Sequence, residues 1–396
     1  MNNWKKCKLE DAPLDFIDGD RGKNYPKQNE FYSNEYCLFL STKNIRENGF
    51  DFSECQFITK EKDEILKKGK LKINDLVLTT RGTIGNLALY KENIPYKNIR
   101  INSGMLIIRP NNEELDSRYA FYLFKNLKDE FDNFVSGSAQ PQLPIRDLKE
   151  VEILLPPLEE QKQIATILNS IDDKIELLHE QNKTLEELAQ TLFRHYFIEN
   201  PNPSWQEKPL KDVCMILNGY AFKSKEYSQN GTKIVRTTNF KNGFIDNKDV
   251  IYIDNLENQY DKYLLRKNDF LLVMVGASLG NYVVVTSNVL PALQNQNMWN
   301  FRALEGVSQH YLNYALRDII KESVYGASGS AREFFQKNQF YEKNILVPSF
   351  EIMNKFEEEI SGFYDKLNEN LEQIQTLENM RDILIPKLLN GEIRSK

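Results

Sequence analysis

The chain has 396 residues, 41% of them hydrophobic, and a formal net charge of −6. That length predicts two to three domains with enough apolar material for true cores, and no apolar run reaches the ~18 residues of a membrane span. The opening MNNWKKCKLED lacks the apolar centre of an export signal, and Cys7, Cys37, Cys55 and Cys214 show no paired spacing, so reduced thiols and a cytoplasmic location are expected.

Residues 1–155 read as a first head. An amphipathic start leads to IDGDRGKNYPKQ (17–28), where Arg21, Lys23 and Tyr25 stand beside two glycines. Cations and backbone amides can converge there on a phosphate. A strand at CLFLST (37–42) precedes Lys43-Asn44 and a turn at Asn48-Gly49. After a charged segment, KEKDEILKKGK (60–70), comes the strand INDLVLTT, then the turn RGTIGN. Arg81 and Thr83 sit at that strand end, and arginine can be bidentate to guanine. The strand GMLIIRP (104–110), a helix near 118–127 and a polar loop, SGSAQPQLPIRD (136–147), follow. Gln140 and Gln142 of this loop carry amides that can pair with adenine edges. Short strands with scattered helices predict α+β rather than a doubly wound sheet.

Residues 156–198 read as a long helix, the first rod. Ile164, Leu168, Ile171, Ile175, Leu178, Leu185, Ala189, Leu192 and Tyr196 recur in steps of four and three, broken only by Asn182. This is a heptad seam, and about 40 residues at ~1.5 Å each make a rod of about 60 Å. Pro157 suits the first turn, Glu159 and Glu160 suit the positive end of the helix dipole, and Asn200-Pro201 stops it.

The second head (199–348) repeats the landmarks of the first. NGYAFKSK brings Tyr220 and Lys223 to the place of DGDRGK, and KIVRTTNFKNGF, with Thr238 and Asn239, answers LFLSTKNIRENGF. KNDFLLVMVGASLGN, with Ser278 and Asn281, answers INDLVLTTRGTIGN; Asn295 and Gln296 precede Met298; and SGSAREFFQKNQF, with Arg332, answers SGSAQPQLPIRDL. Lys43-Asn44 and Thr238-Asn239 recur at matched positions, which equally marks scaffold turns. Residues 349–396 form a second rod, offset from the first by 192 positions, with Phe356, Ile360, Phe363, Leu367, Ile374, Leu377, Leu384 and Leu388 on its seam. Asn370 and Arg381 are its polar breaks, Ser349 can cap its start, and Asn390-Gly391 suits a left-handed cap at its end. Scaffold positions agree between the heads while polar loop tips differ, as expected of one fold reading two things. The rods are expected to bury their seams on each other, antiparallel, with the heads at opposite ends.

Charge is divided unevenly. Residues 156–200 hold nine acids against four bases and residues 349–396 ten against six, so the heads carry the positive remainder. Such heads are compatible with DNA contact. The three histidines, His179, His195 and His310, stand in no metal-ligand spacing. No P-loop, G-x-S-x-G, zinc motif or dinucleotide fingerprint is present. GTIGN and GASLGN each lie between two strands, so the helix N-terminus that binds phosphate is missing. Asp18, Asp20 and Asp75 are candidate nuclease ligands, with turn formation the simpler reading.

The segments LPPLEEQKQIATILNSIDDKIELLHEQNKTLEELAQTLFRHYF, DGDRGKNYP, RGTIGN, NGYAFKSKEY and MRDILIPKLLNGEIR carry a resemblance over essentially the whole chain. It resembles the specificity subunit (HsdS) of type I restriction-modification systems. The second rod departs from the pattern at its start, VPSFEIMNKFEEEI. The resemblance implies an α+β chain in which two target-recognition domains are separated by a pair of long antiparallel coiled-coil helices. It implies a non-catalytic subunit, each head reading half of a bipartite, asymmetric DNA site across a gap that the rods set. Two modification (HsdM) subunits would bind S-adenosylmethionine and methylate a flipped-out adenine. Two restriction (HsdR) subunits would use ATP and magnesium. No cofactor would be bound by this chain. The alternatives are a methylation-only system, a stand-alone methyltransferase or nuclease, and a coiled-coil adaptor without DNA.

Overall fold

The computed structural model describes residues 4–46, 49–131, 134, 141–241, 243–254, 258–327 and 334–394. Asn48, Gln140 and Arg332 lie outside the described residues. The chain divides into two compact units, Met1–Ile175 with Thr376–Lys396, and Glu176–Gln375. The boundary falls inside both long helices, Leu158–Phe193 and Phe350–Leu389. The partition expected from the repeat follows the order of the chain. Compactness follows packing, because segments of both rods close the core of each head.

In the first unit a sheet runs in the order Leu14–Asp18, Met105–Pro110, Leu76–Thr79, Leu87–Leu89, every pair antiparallel. Its central strands are apolar on both faces because both faces are covered. Leu76, Leu78, Leu106 and Ile108 pack with Tyr119, Tyr122 and Leu123 of the helix Ser117–Asn126. Val77, Met105 and Ile107 point the other way, as the pleat requires, onto Leu38, Leu40, Ile99 and Ile101 of a smaller sheet. That sheet has the order Phe57–Ile58, Cys37–Leu40, Ile99–Ile101, with the last two parallel. Lys5–Lys8 pairs with Glu152–Leu155, so the start of the head meets its end.

The second unit is built alike. Its sheet runs Cys214–Asn218, Met298–Ala303, Phe270–Val273, Tyr282–Val284. The companion sheet runs Tyr227–Ser228, Ile251–Ile253, Thr232–Val235, Ala292–Gln294, again with one parallel pair. Gln206–Pro209 pairs with Asn344–Val347, and Gln309–Ala327 is the covering helix.

One buried device recurs in both sheets. Asn74 (φ +74°) and Asn268 (φ +70°) turn the chain through the left-handed region, which asparagine tolerates. The next residue is a buried aspartate. Asp75 accepts the Lys72 N–H and two N–H groups of Arg109 at 2.7 Å. Asp269 accepts the Arg266 N–H, the Asn300 amide at 2.7 Å, and Arg302 at 2.7 and 2.6 Å. Asp75 therefore forms a turn and an ion pair.

The rods finish each core. In the first unit Ile164, Ala165 and Leu168 of the first rod join Ile385, Leu388 and Leu389 of the second around Tyr119 and Tyr122. In the second unit Ala189 and Phe193 join Met353, Phe356, Ile360 and Tyr364 around Tyr311 and Tyr314. Within each unit, early residues of one rod meet late residues of the other, so the two segments run antiparallel. Of the expected seam, Ile164, Leu168, Ile171, Ile175, Leu178, Phe356, Ile360, Leu367, Ile374 and Leu388 are buried. Leu185, Leu192, Phe363, Leu377 and Leu384 are only half-buried, while Phe193, Tyr364 and Ile385 are buried in their stead. An α-helix drifts by ~20° per heptad from a 3.5-residue repeat, and the buried stripe moves on by one residue. Gly391 (φ +75°) ends the second rod.

Asp269→Ala leaves the Arg302 guanidinium and the Asn300 amide buried without their acceptor. The expected loss is about 3 kcal/mol, read as a lower urea midpoint for the second unit, against at most about 1 kcal/mol for Asp18→Ala at the exposed Arg21 pair.

Candidate nucleic-acid interface

In the first unit, five loops are tied together at one end of the main sheet. Gly19 lies so close to the 102–103 backbone that a Cβ would stand 2.2 Å from the Asn102 oxygen; only glycine fits there. The Arg21 guanidinium donates to Asp18 at 3.0 Å and to the Ser103 carbonyl at 3.4 Å. The Thr80 and Arg81 N–H groups both donate to the Gly104 carbonyl, and Leu143 donates to Thr80. A short bridge pairs Arg81 with Gln142. Asn102 donates to Leu40, which leads directly into 41–44. Arg21, Lys23, Lys43 and Thr83 are exposed on this rim, and Arg81 and Gln142 half-exposed.

Asp20 adds a loop that the sequence reading passed over. Its carboxylate accepts the Gly22 N–H at 3.0 Å and the Lys67 N–H at 2.9 Å. These backbone donors, Gly22 foremost, hold its carboxyl below the usual carboxylate range against a smaller effect of burial. The staple sets exposed Lys67 and Lys68 beside Arg21 and Lys23. The signal was present as the LKKGK run, but its placement comes only from Asp20.

The second unit ties the equivalent loops. A Cβ at Gly219 would stand 1.8 Å from the Asn295 oxygen. Tyr220 donates to Gln294, Gln296 to Tyr220, Met274 to Asn297, and Phe335 to Met274. Lys223, Thr238, Asn281 and Gln296 are exposed on this rim, with Ser278 and Asn295 half-exposed. The first rim is rich in cations and the second in amides and hydroxyls. Gly82 (φ +73°) and Gly85 (φ +84°) lie in a hairpin turn between Leu76–Thr79 and Leu87–Leu89. Gly276 and Gly280 do the same between Phe270–Val273 and Tyr282–Val284. Neither turn opens a helix, so neither cradles a nucleotide phosphate. Among the described residues no group of three or more His, Cys, Asp or Glu side chains is placed to hold a metal ion, and no helix is long and apolar enough to cross a membrane.

Comparison with known proteins places the chain in a family. Residues 1–187 and 202–379 match the type I restriction modification DNA specificity domain. The chain belongs to that family. It is similar to the MjaIX type I specificity subunit of Methanocaldococcus jannaschii, with 30% identity over 368 residues, covering 84% of this chain and 81% of the relative. It is also similar to the HindI specificity subunit of Haemophilus influenzae, with 21% identity across 99% of this chain and 100% of that one. Among solved structures, the S subunit of a type I system from M. genitalium shares the fold at a TM-score of 0.57, with 18% identity over 98% of this chain and 96% of that one. The protein is thus a type I specificity subunit, a DNA-recognising and non-catalytic role that implies DNA and modification-subunit partners.

Within this family setting, two residues, Asn44 and Asn239, leave the expected DNA-contacting set. Asn44 is buried: its amide donates to the Asp51 and Glu54 carbonyls while its oxygen accepts the Ser41 N–H. Asn239 repeats this with Lys248 and Arg236. The shared asparagine is a turn clamp, buried at 3% exposure in both heads and turned onto its own loop rather than toward a base. Tyr25 packs edge-on against Phe39, and Tyr220 lies among Phe222, Tyr260 and Tyr263; both stay half-exposed.

Lys23→Ala and Arg81→Ala are each expected to weaken DNA binding by the assembled complex and to flatten its salt dependence by about one unit of slope. Asn44→Ala is expected to cost about 1–3 kcal/mol of stability and to leave the salt slope unchanged. Fluorescence anisotropy across a salt series, with melting curves, separates the two outcomes.

Proposed function

We propose that each head reads one half of a bipartite, asymmetric DNA sequence, and that the paired rods set the unspecified gap between halves. One observation carries this reading: the same loops converge at the same sheet end in both heads, yet their exposed side chains differ. Arg21, Lys23, Lys43, Lys67, Lys68, Arg81, Thr83 and Gln142 form one rim. Lys223, Thr238, Ser278, Asn281, Asn295 and Gln296 form the other. Phosphate contacts position a head, while arginine and amide side chains discriminate base edges.

The rods keep apolar side chains outside their shared seam. Ile167, Met380 and Ile383 are exposed in the first unit, and Leu177, Leu188 and Phe350 in the second. Exposed apolar positions on a helix support a docking role, here for two modification subunits that carry S-adenosylmethionine and methylate adenine. Two restriction subunits, with ATP and magnesium, complete the proposed assembly in the cytoplasm. This chain positions the others on DNA and supplies no reacting group itself.

Replacing residues 199–348 with the second head of another specificity subunit tests the modular reading. Methylation mapping is expected to show one half-site changed and the other kept; a change in both halves overturns it. Inserting four residues into each rod, about one helical turn, is expected to lengthen the gap while both half-sites stay readable. An unchanged gap removes the ruler.

A further inference from the structure

Among the polar contacts between the rods, which include Tyr196–Glu359, two pairs lie in the apolar seam, and DNA reading uses neither. In the second unit Asn370 Nδ2 donates to Asn182 Oδ1 at 2.9 Å, with both side chains buried. The pair meets only part of its capacity, since Asn182 Nδ2 and Asn370 Oδ1 have no partner among the described residues. In the first unit Arg381 donates to Asp172 at 2.9 Å, with only 10% and 26% of the two side chains exposed; Arg381 also pairs with Asp382, and Asp172 also accepts the Tyr122 hydroxyl. Such groups weaken a helix pair relative to well-packed leucine, but they discriminate between pairings.

The sequence repeat identifies the pairing they discriminate. Adding 192 takes Leu178 to Asn370 and Asn182 to Ile374. The register that sets Asn182 against Asn370 also sets Leu178 against Ile374, and both of these are buried. If the first rod paired in this register with a second copy of itself, Leu178 would stand where Asn370 stands now. Asn182 of each copy would then be buried against leucine with no hydrogen bond. A second rod on a second rod would bury Asn370 against Ile374 in the same way. The charged pair follows the same rule, because the offset takes Asp172 to Tyr364 and Ala189 to Arg381. Pairing of like with like would set Asp172 against Ala189 and Arg381 against Tyr364, breaking the ion pair and leaving Arg381 only Asp382 and Asp172 only the Tyr122 hydroxyl. The apolar seam, nearly the same in both rods, makes no such distinction.

We propose that Asn182–Asn370 and Asp172–Arg381 form a pairing code by which each rod accepts the other and rejects a second copy of itself. The code excludes like-on-like dimers of the chain, in which two identical rods would lie together. It acts through the cost of burying an amide without its partner and, to a smaller degree, through loss of the Asp172–Arg381 ion pair. No DNA contact enters the argument, so it holds or fails apart from the reading of half-sites.

The full chain carrying both L178N and N370L has an unchanged composition but an inverted code. Its first rod holds both amides, which two copies would satisfy mutually, and its second rod is apolar at both positions. Light scattering over a concentration series is expected to give a single-chain mass for the wild type. The exchange variant is expected to shift toward twice that mass. Cross-links between isotopically labelled and unlabelled chains are expected to join first rod to first rod. Should the exchange variant only aggregate, the erased code of N182L with N370L decides. That variant is expected to melt no lower than the wild type and to form several-fold more dimer. A dimeric wild type, a strictly monomeric exchange or erased variant, or interchain cross-links joining first rod to second rod overturns the proposal.

Discussion

The closure of each head by two rod segments is the constraint on which the other features depend. Neither sheet finishes its own core. Tyr119 and Tyr122 in the first unit, and Tyr311 and Tyr314 in the second, need Leu168 with Leu388 or Phe193 with Phe356 to cover them. Burial of side chains of this size contributes roughly 1.5–3 kcal/mol each, so a rod that slid would open the core of a head. The polar anchors act in the same places. Tyr122 donates to Asp172, while Arg317 pairs with Glu186 at 2.5 Å and lies 4.0 Å over the Tyr314 ring. Burial pushes both tyrosine hydroxyls far above their ordinary pKa, with the neighbouring carboxylates adding to it.

The repeat is kept where packing demands it and abandoned where recognition allows. The left-handed asparagine, the buried aspartate and the arginine that pairs with it recur in both sheets, as do the clamp asparagines Asn44 and Asn239. Gly19 and Gly219 recur because a carbonyl occupies the space of a side chain. The exposed tips obey no such restraint. Nothing in the fold requires Lys23 or Gln296, and those positions are free to differ between heads. Two rims of different chemistry on one scaffold are what the proposed asymmetric site requires of a single chain.

Much of the candidate site could be read in advance, and its errors share one cause. Arg21, Lys23, Lys43, Arg81, Thr83, Lys223, Thr238, Asn281 and Gln296 were recognisable as polar residues in loops that recur, and they stand on the rims. Asn44 and Asn239 were equally polar in the same loops. Whether such a side chain faces solvent or turns back to bond its own loop depends on local geometry that composition does not express. Lys67 and Lys68 were passed over for the converse reason. Their loop is 47 residues from Asp20 in sequence, and only the folded backbone brings them together.

The amino-acid order alone established two α+β heads, two helices with an apolar seam, the 192-residue offset between them and the polar loops that recur in both heads. Periodicity and repetition are one-dimensional, and they survive without a partner to interpret them. Only the tertiary structure decided which residues share a core. It moved the unit boundaries into the middle of both rods and shifted the buried stripe from Leu192, Phe363 and Leu384 to Phe193, Tyr364 and Ile385. It also set Asn182 opposite Asn370. These outcomes depend on which surfaces lose water together, and that is a property of the packed chain, not of any stretch of it.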